Sequence, residues 1–158
     1  MKKKILLILL IIVGLFTITG CGSSSTKSGE KTNKTSSSRF DTKASVDDLY
    51  FKYISTYDLG DTTNGKIMRA GEYNIIVTHQ KNMTKEDIIK EKGLTLDREL
   101  TINKVKWSIY DYSNDTVTSK IYMHEKDDGL YTVTFAKYVK EFDVTSIMNE
   151  FMDEVEFK

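Results

Sequence analysis

Two histidines and one cysteine leave this 158-residue chain few routes to covalent or metal chemistry. His79 and His124 are too few for a histidine-rich metal site, and Cys21 is the only thiol that could serve as nucleophile or ligand. Serine and aspartate are plentiful, yet no Gly-x-Ser-x-Gly sequence sets a serine on a nucleophile elbow. Asp58-Leu59-Gly60-Asp61-Thr62-Thr63-Asn64-Gly65 offers oxygen atoms to a Ca²⁺ ion, but not at the spacing of an EF-hand loop, and a solvated turn explains the same residues. Asp127-Asp128-Gly129 reads as hairpin chemistry, its acids acting as turn formers. No catalytic set, cofactor or metal site is expected.

The nine tyrosines carry the sharper expectation. With Trp107 and Ile109 facing a core from one strand, and Ile121 and Met123 from the next, period-two alternation sends Tyr110, Tyr112 and Tyr122 to the opposite face. Tyr50 could join them. Such a face could bind a glycan or an extended peptide; equally, a helix could cover it and leave only the hydroxyls wet. Packing is the preferred reading, because a well-capped helix over 84–92 needs somewhere to bury Ile88 and Ile89.

The N-terminal stretch places the chemistry in a compartment. Met1-Lys2-Lys3-Lys4 is a positive n-region, Ile5 to Phe16 an apolar run broken only by Gly14, and Ile18-Thr19-Gly20-Cys21 ends it in small residues before the cysteine. At about 1.5 Å per residue, roughly 14 apolar residues make a helix of about 21 Å, short of the ~30 Å a spanning helix must cross. The stretch is therefore read as a signal peptide, residues 1–20, that is removed. Ile18-Thr19-Gly20-Cys21 resembles the lipobox of bacterial lipoproteins. The resemblance implies cleavage between Gly20 and Cys21 and a diacylglyceryl group on the Cys21 sulfur, with membrane attachment on the extracytoplasmic face. An ordinary signal peptide, or an uncleaved anchor, is the plainer reading of the same residues. The cysteine's solitude fits lipidation: an exported chain could use disulfides, and this one has no second cysteine to form one. A second acyl chain would make the attachment firm, at about 0.8 kcal/mol per buried CH₂.

Residues 21–38 are read as the lipidated cysteine and a disordered tether, since 22–38 hold no apolar side chain to offset the entropy of ordering. Lys27, Lys31 and Lys34 could touch anionic headgroups, a minor effect beside Glu30. The remaining 39–158 suffice for one domain, with 17 basic against 22 acidic residues and a formal charge of −5. That balance argues against nucleic acid as a partner and leaves the membrane, through lipid alone, with an envelope protein complex or a glycan beyond it. A monomer is expected.

Local patterns assign short strands and two helices. Leu49–Ile54 is a strand candidate, although Val46–Tyr53 could also begin a helix capped by Ser45. Residues 58–65 read as a turn-rich loop, with Asn64-Gly65 turning into a strand at 66–69, followed by a turn at Ala70-Gly71 and a strand at 73–79. Thr84 is placed to cap a helix, with Asp87 completing a capping box, Met83 and Ile88 a staple, and Gly93 the stop. Strands at 104–109, 117–124 and 130–135 make an antiparallel meander. A last helix from Asp143, with Phe142 and Ile147 as staple, carries Val144, Ile147, Met148, Phe151, Met152 and Val155 on one core stripe. Residues 156–158 finish as an edge strand.

This order is α+β: an antiparallel sheet with two packed helices. Leu49-Tyr50-Phe51-Lys52-Tyr53, the Trp107 strand, Gly129-Leu130-Tyr131-Thr132-Val133-Thr134-Phe135 and the closing helix with Phe151 and Phe157 resemble the Mog1/PsbP-like fold, an αβα sandwich. The resemblance implies a non-catalytic partner of a larger assembly. Two functions follow as expectations: a lipid-anchored extracytoplasmic binding or accessory module of the cell envelope, or an envelope hydrolase or metal-dependent enzyme using the 58–65 carboxylates and a histidine. A deep pocket joining a histidine to two acids would favour the enzyme, and a shallow aromatic or acidic surface would favour binding.

Overall fold

The computed structural model describes residues 39–127, 129–138 and 143–158. The leader, Cys21 and the tether lie outside them, as do Asp128 and the staple residue Phe142.

Among the described residues, ten strands form two antiparallel sheets, accompanied by two helices. A three-stranded sheet joins β1 (Thr42–Val46), β2 (Leu49–Tyr53) and β10 (Glu156–Phe157), with β2 in the middle. A seven-stranded sheet runs in the order β3 (Asp58–Thr62), β4 (Gly65–Arg69), β5 (Tyr73–Lys81), β9 (Gly129–Lys137), β8 (Thr118–Lys126), β7 (Val105–Ser113), β6 (Thr95–Ile102). The chain thus lays down one meander, crosses the sheet to its far edge through α1 (Lys85–Lys92), and returns by a second meander until β9 meets β5. Antiparallel packing with helices is the expected class, and Leu49–Tyr53 is strand, not helix.

Each face of the large sheet has its own core. On the inner face, Met68, Ile75, Val77, Trp107, Ile109, Tyr122, Tyr131, Val133 and Phe135 pack against Val46, Leu49 and Phe51 of the small sheet and against α2 (Thr145–Asp153). The expected stripe is core: Val144, Met148, Phe151, Met152 and Val155 are buried and Ile147 packs against them. On the outer face, Ile88 of α1 and Leu94 cover Tyr110, Ile121, Met123 and Leu130. α1 has the expected ends. Thr84 accepts from the Asp87 backbone N–H, the Asp87 side chain answers the Thr84 N–H, and Gly93 closes the helix in the left-handed region at φ 64°.

Two local expectations are corrected. Residues 58–62 are a strand, not a loop, since Asp58 and Asp61 sit opposite Arg69 and Lys66 and pair with them across the hairpin. The turn there is Thr63-Asn64, because Thr62 is already opposite Gly65. Gly65 is required for close approach: a Cβ on it would lie 1.9 Å from the Val77 carbonyl oxygen. β6, to which local patterns assign nothing, is an edge strand with every residue but Ile102 exposed, and its lack of apolar alternation hides it from pattern reading.

Candidate functional site

The three tyrosines singled out by alternation do not share a face. Ile109 pairs with Tyr122 and Tyr110 with Ile121, so Tyr122 points into the inner core while Tyr110 and Tyr112 point outward. The assumed grouping of Ile121 and Met123 with Trp107 is one residue out of register, which moves every side chain on β8 to the other face. Tyr122 is 2 % exposed, and burial raises its hydroxyl pKa above the ordinary tyrosine value. Tyr110 is 7 % exposed beneath α1 in the Ile88 cluster. Tyr112 is half-buried at the margin of that cluster and accepts from Asn114 Nδ2 at 3.1 Å. Tyr50 belongs to the small sheet, 39 % exposed, with Lys158 Nζ 4.7 Å from its ring centre.

The outer face beyond α1 has tyrosines at its margins. Tyr112 is opposite Ser119 and Ser119 opposite Ala136, a row crossing β7, β8 and β9. Tyr138, just past the end of β9, takes a hydrogen bond from Asn74 Nδ2 at 2.9 Å. Ser119 and Ala136, the small residues of this row, are each only 6 % exposed, so the row between the two tyrosines is covered. Beside it, the 114–118 turn, Lys137 and Tyr138 line a hollow of about 30 Å³, room for a water. Asn114 Oδ1 shapes that turn by accepting from the backbone N–H groups of Thr116 and Val117.

The histidines lie elsewhere, on the inner face. The His79 ring stacks on Tyr131 at 4.0 Å between centres, and its Nδ1–H donates to Asp47 Oδ2 at 2.5 Å. A carboxylate can only accept, so Nδ1 carries the proton in this contact. The other ring nitrogen, Nε2, is buried and has no hydrogen-bond partner among the described residues. It is packed on Gly129, where a Cβ would lie 2.4 Å from it. The pair resembles a base with its orienting acid, but a base must reach a proton on substrate, and this Nε2 is sealed. Its evident work is to join the turn between β1 and β2 to β5. His124 donates from Nδ1 to the Lys106 carbonyl at 3.0 Å and packs on Trp107 and Phe157.

The acids expected to serve an enzyme do not meet a histidine. Asp58 and Asp61 are spent in ion pairs with Arg69 and Lys66, and the carboxylate that reaches His79 is Asp47, from a turn that sequence reasoning passed over. The signal was present: Asp47-Asp48 is an acidic pair between apolar Val46 and Leu49, and Asp47 takes φ 48°. Among the described residues, no three His, Cys, Asp or Glu side chains are grouped to hold a metal ion.

No protein-family model matches the chain, and no curated protein does. Among solved structures it is similar to a protein from Bacteroides thetaiotaomicron VPI-5482 whose crystal structure was determined at 1.50 Å. The TM-score is 0.53 at 11 % identity, over 75 % of this chain and 49 % of that one. The chain thus spans about half the length of that protein, and at this identity the likeness is one of fold.

Proposed function

We propose that this protein is a lipid-anchored extracytoplasmic module of the bacterial cell envelope that binds a partner without catalysing a reaction. The observation that carries the reading is the leader ending in Ile18-Thr19-Gly20-Cys21, with the chain's one cysteine at the lipidation position. In this reading residues 1–20 are the signal peptide, 21–38 the lipidated tether and 39–158 the domain. A seven-stranded antiparallel sheet with one helix on each face supports the finer reading as a Mog1/PsbP-like sandwich. Binding is favoured over hydrolysis because His79 is enclosed and Asp58 and Asp61 are held in ion pairs, so the groups an enzyme would use do not meet. An envelope protein or a glycan strand is the class of partner that this location offers.

Metabolic labelling with a fatty acid tests the anchor. Wild-type chain should take up label and Cys21→Ala should not; label persisting on the variant would defeat the proposal. Affinity capture from membranes, repeated with Tyr112→Ala, then tests whether the half-buried Tyr112 rim contributes to holding the captured partner.

A further inference from the structure

The two edges of the large sheet are guarded unequally. At β3, Asp58 and Asp61 bracket Gly60, and the strand's other residues are half-buried. Charges and glycine on a short strand discourage pairing with another chain. At β6 the irregularity is confined to the first half, where the register shifts between Leu96 and Arg98 and Asp97 is drawn inward to Lys120 at 2.8 Å; the second half carries the charges Arg98 and Glu99 but neither glycine nor bulge. Its second half, Arg98-Glu99-Leu100-Thr101-Ile102, continues as regular strand opposite β7. Two of the four exposed large apolar side chains among the described residues are on this strand, Leu96 at 53 % and Leu100 at 39 % exposure.

We infer that residues 98–102 of β6 pair antiparallel with the same residues of a second copy of this chain, joining two seven-stranded sheets about a two-fold axis at Leu100. Opposed residues of an antiparallel pair point to the same face, so in a symmetric pair the axis passes beside one residue, which meets its own copy. Charge then selects the residue. An axis at Arg98 opposes two arginines and sets Asp97 against Glu99 of the second copy; an axis at Glu99 opposes two glutamates. An axis at Thr101 keeps only residues 100–102 within the strand. At Leu100 the whole segment pairs without opposing like charges: Leu100 meets Leu100 of the second copy, Glu99 meets Thr101, and the Arg98 stem lies on Ile102. The bulge at Leu96 to Arg98 ends the ladder at one side and the turn at Asn103, φ 50°, ends it at the other. This departs from the monomer expected of the sequence.

The full chain in detergent provides the test, with Cys21 present throughout so that wild type reports the background of oxidative cross-linking. Cα atoms opposed across either kind of antiparallel pair are within disulfide reach, so Leu100→Cys should give about tenfold more covalent dimer than wild type or Leu96→Cys. Sedimentation should show a dimer that Leu100→Asp and, independently, Thr101→Lys convert to monomer with unchanged circular dichroism. Equal cross-linking at positions 96 and 100, or one-chain mass for wild type at the highest concentration reached, would overturn the inference.

Discussion

α1 buries one residue, Ile88, against the outer face of the sheet, whereas α2 buries Met148, Phe151 and Met152 against the inner face. Their ends differ in the opposite sense. α1 has a complete capping box, acids in its first turn, lysines in its last and a left-handed glycine stop; α2 has no side-chain bond from its N-cap residue Val144, only Asp143 Oδ1 accepting from the Thr145 N–H at 2.9 Å, and no charge suited to its dipole within either end turn. A helix as short as eight or nine residues is marginal alone and must be held by something outside its own ladder. For α1 much of that support is local, in bonds to its own end groups. For α2 it is tertiary burial, and the helix forms because the core closes on it.

Breaking the tertiary side should have the largest effect. The Phe151 ring, 0 % exposed, lies 5.7–5.8 Å from Phe40, Phe51 and Phe135, which come from the lead-in to β1, from β2 and from β9. One side chain thus holds α2, the small sheet and the large sheet together. Phe151→Ala should cost about 3–5 kcal/mol, as large aromatic deletions in cores do. Urea melts measure it, and a loss under ~1 kcal/mol would mean that the inner face does not depend on α2.

The same contrast explains what could be read in advance. α1 was legible residue by residue because caps are sequence-local, and α2 because a stripe at helical spacing survives without caps. The inner strands announced themselves through apolar residues. β6 and β3 did not, since an edge strand needs neither a buried face nor apolar alternation, and the cross-strand partners that make Asp58 and Asp61 acceptable lie eleven and five residues away. The tyrosine faces were misread for a related reason. Both strand existence and strand period were visible, but register comes from pairing, and Ile109 opposite Tyr122 is a fact of the neighbouring strand. The Asp47 contact to His79 joins residues 32 apart through two sheets, and no spacing rule encodes it.

The tyrosines sharpen the comparison of faces, because each sits at a different depth. Tyr122→Ala removes an inner-core ring that packs edge-on against Trp107 and Phe135 at 6.5 and 5.7 Å, and should cost about 3 kcal/mol or more. Tyr110→Ala should cost less, since only α1 and its small cluster cover it. Tyr112→Ala, at the rim, should change stability by about 0.5 kcal/mol or less. Equal losses for all three in denaturant melts would contradict the two-core arrangement.

The smallest effect probes the local side. Thr84 Oγ1 accepts from the Asp87 N–H at 3.3 Å and donates to Asp87 Oδ2 at 2.8 Å, while the Thr84 N–H donates to the same carboxylate oxygen at 3.1 Å. These bonds, the threonine hydroxyl foremost, hold the Asp87 carboxyl below its ordinary pKa. A depressed carboxylate stabilises the fold above its unfolded pKa and loses that contribution as pH falls through the folded value, so the box weakens on the acid side. Thr84→Ala should cost about 1 kcal/mol at neutral pH, the usual loss of an N-cap. It should also return the Asp87 titration, followed by NMR, toward the ordinary carboxylate range. The two readouts separate the causes: a stability loss with Asp87 unmoved would place the threonine's contribution in packing beside Met83, and would leave α1 dependent on burial just as α2 is.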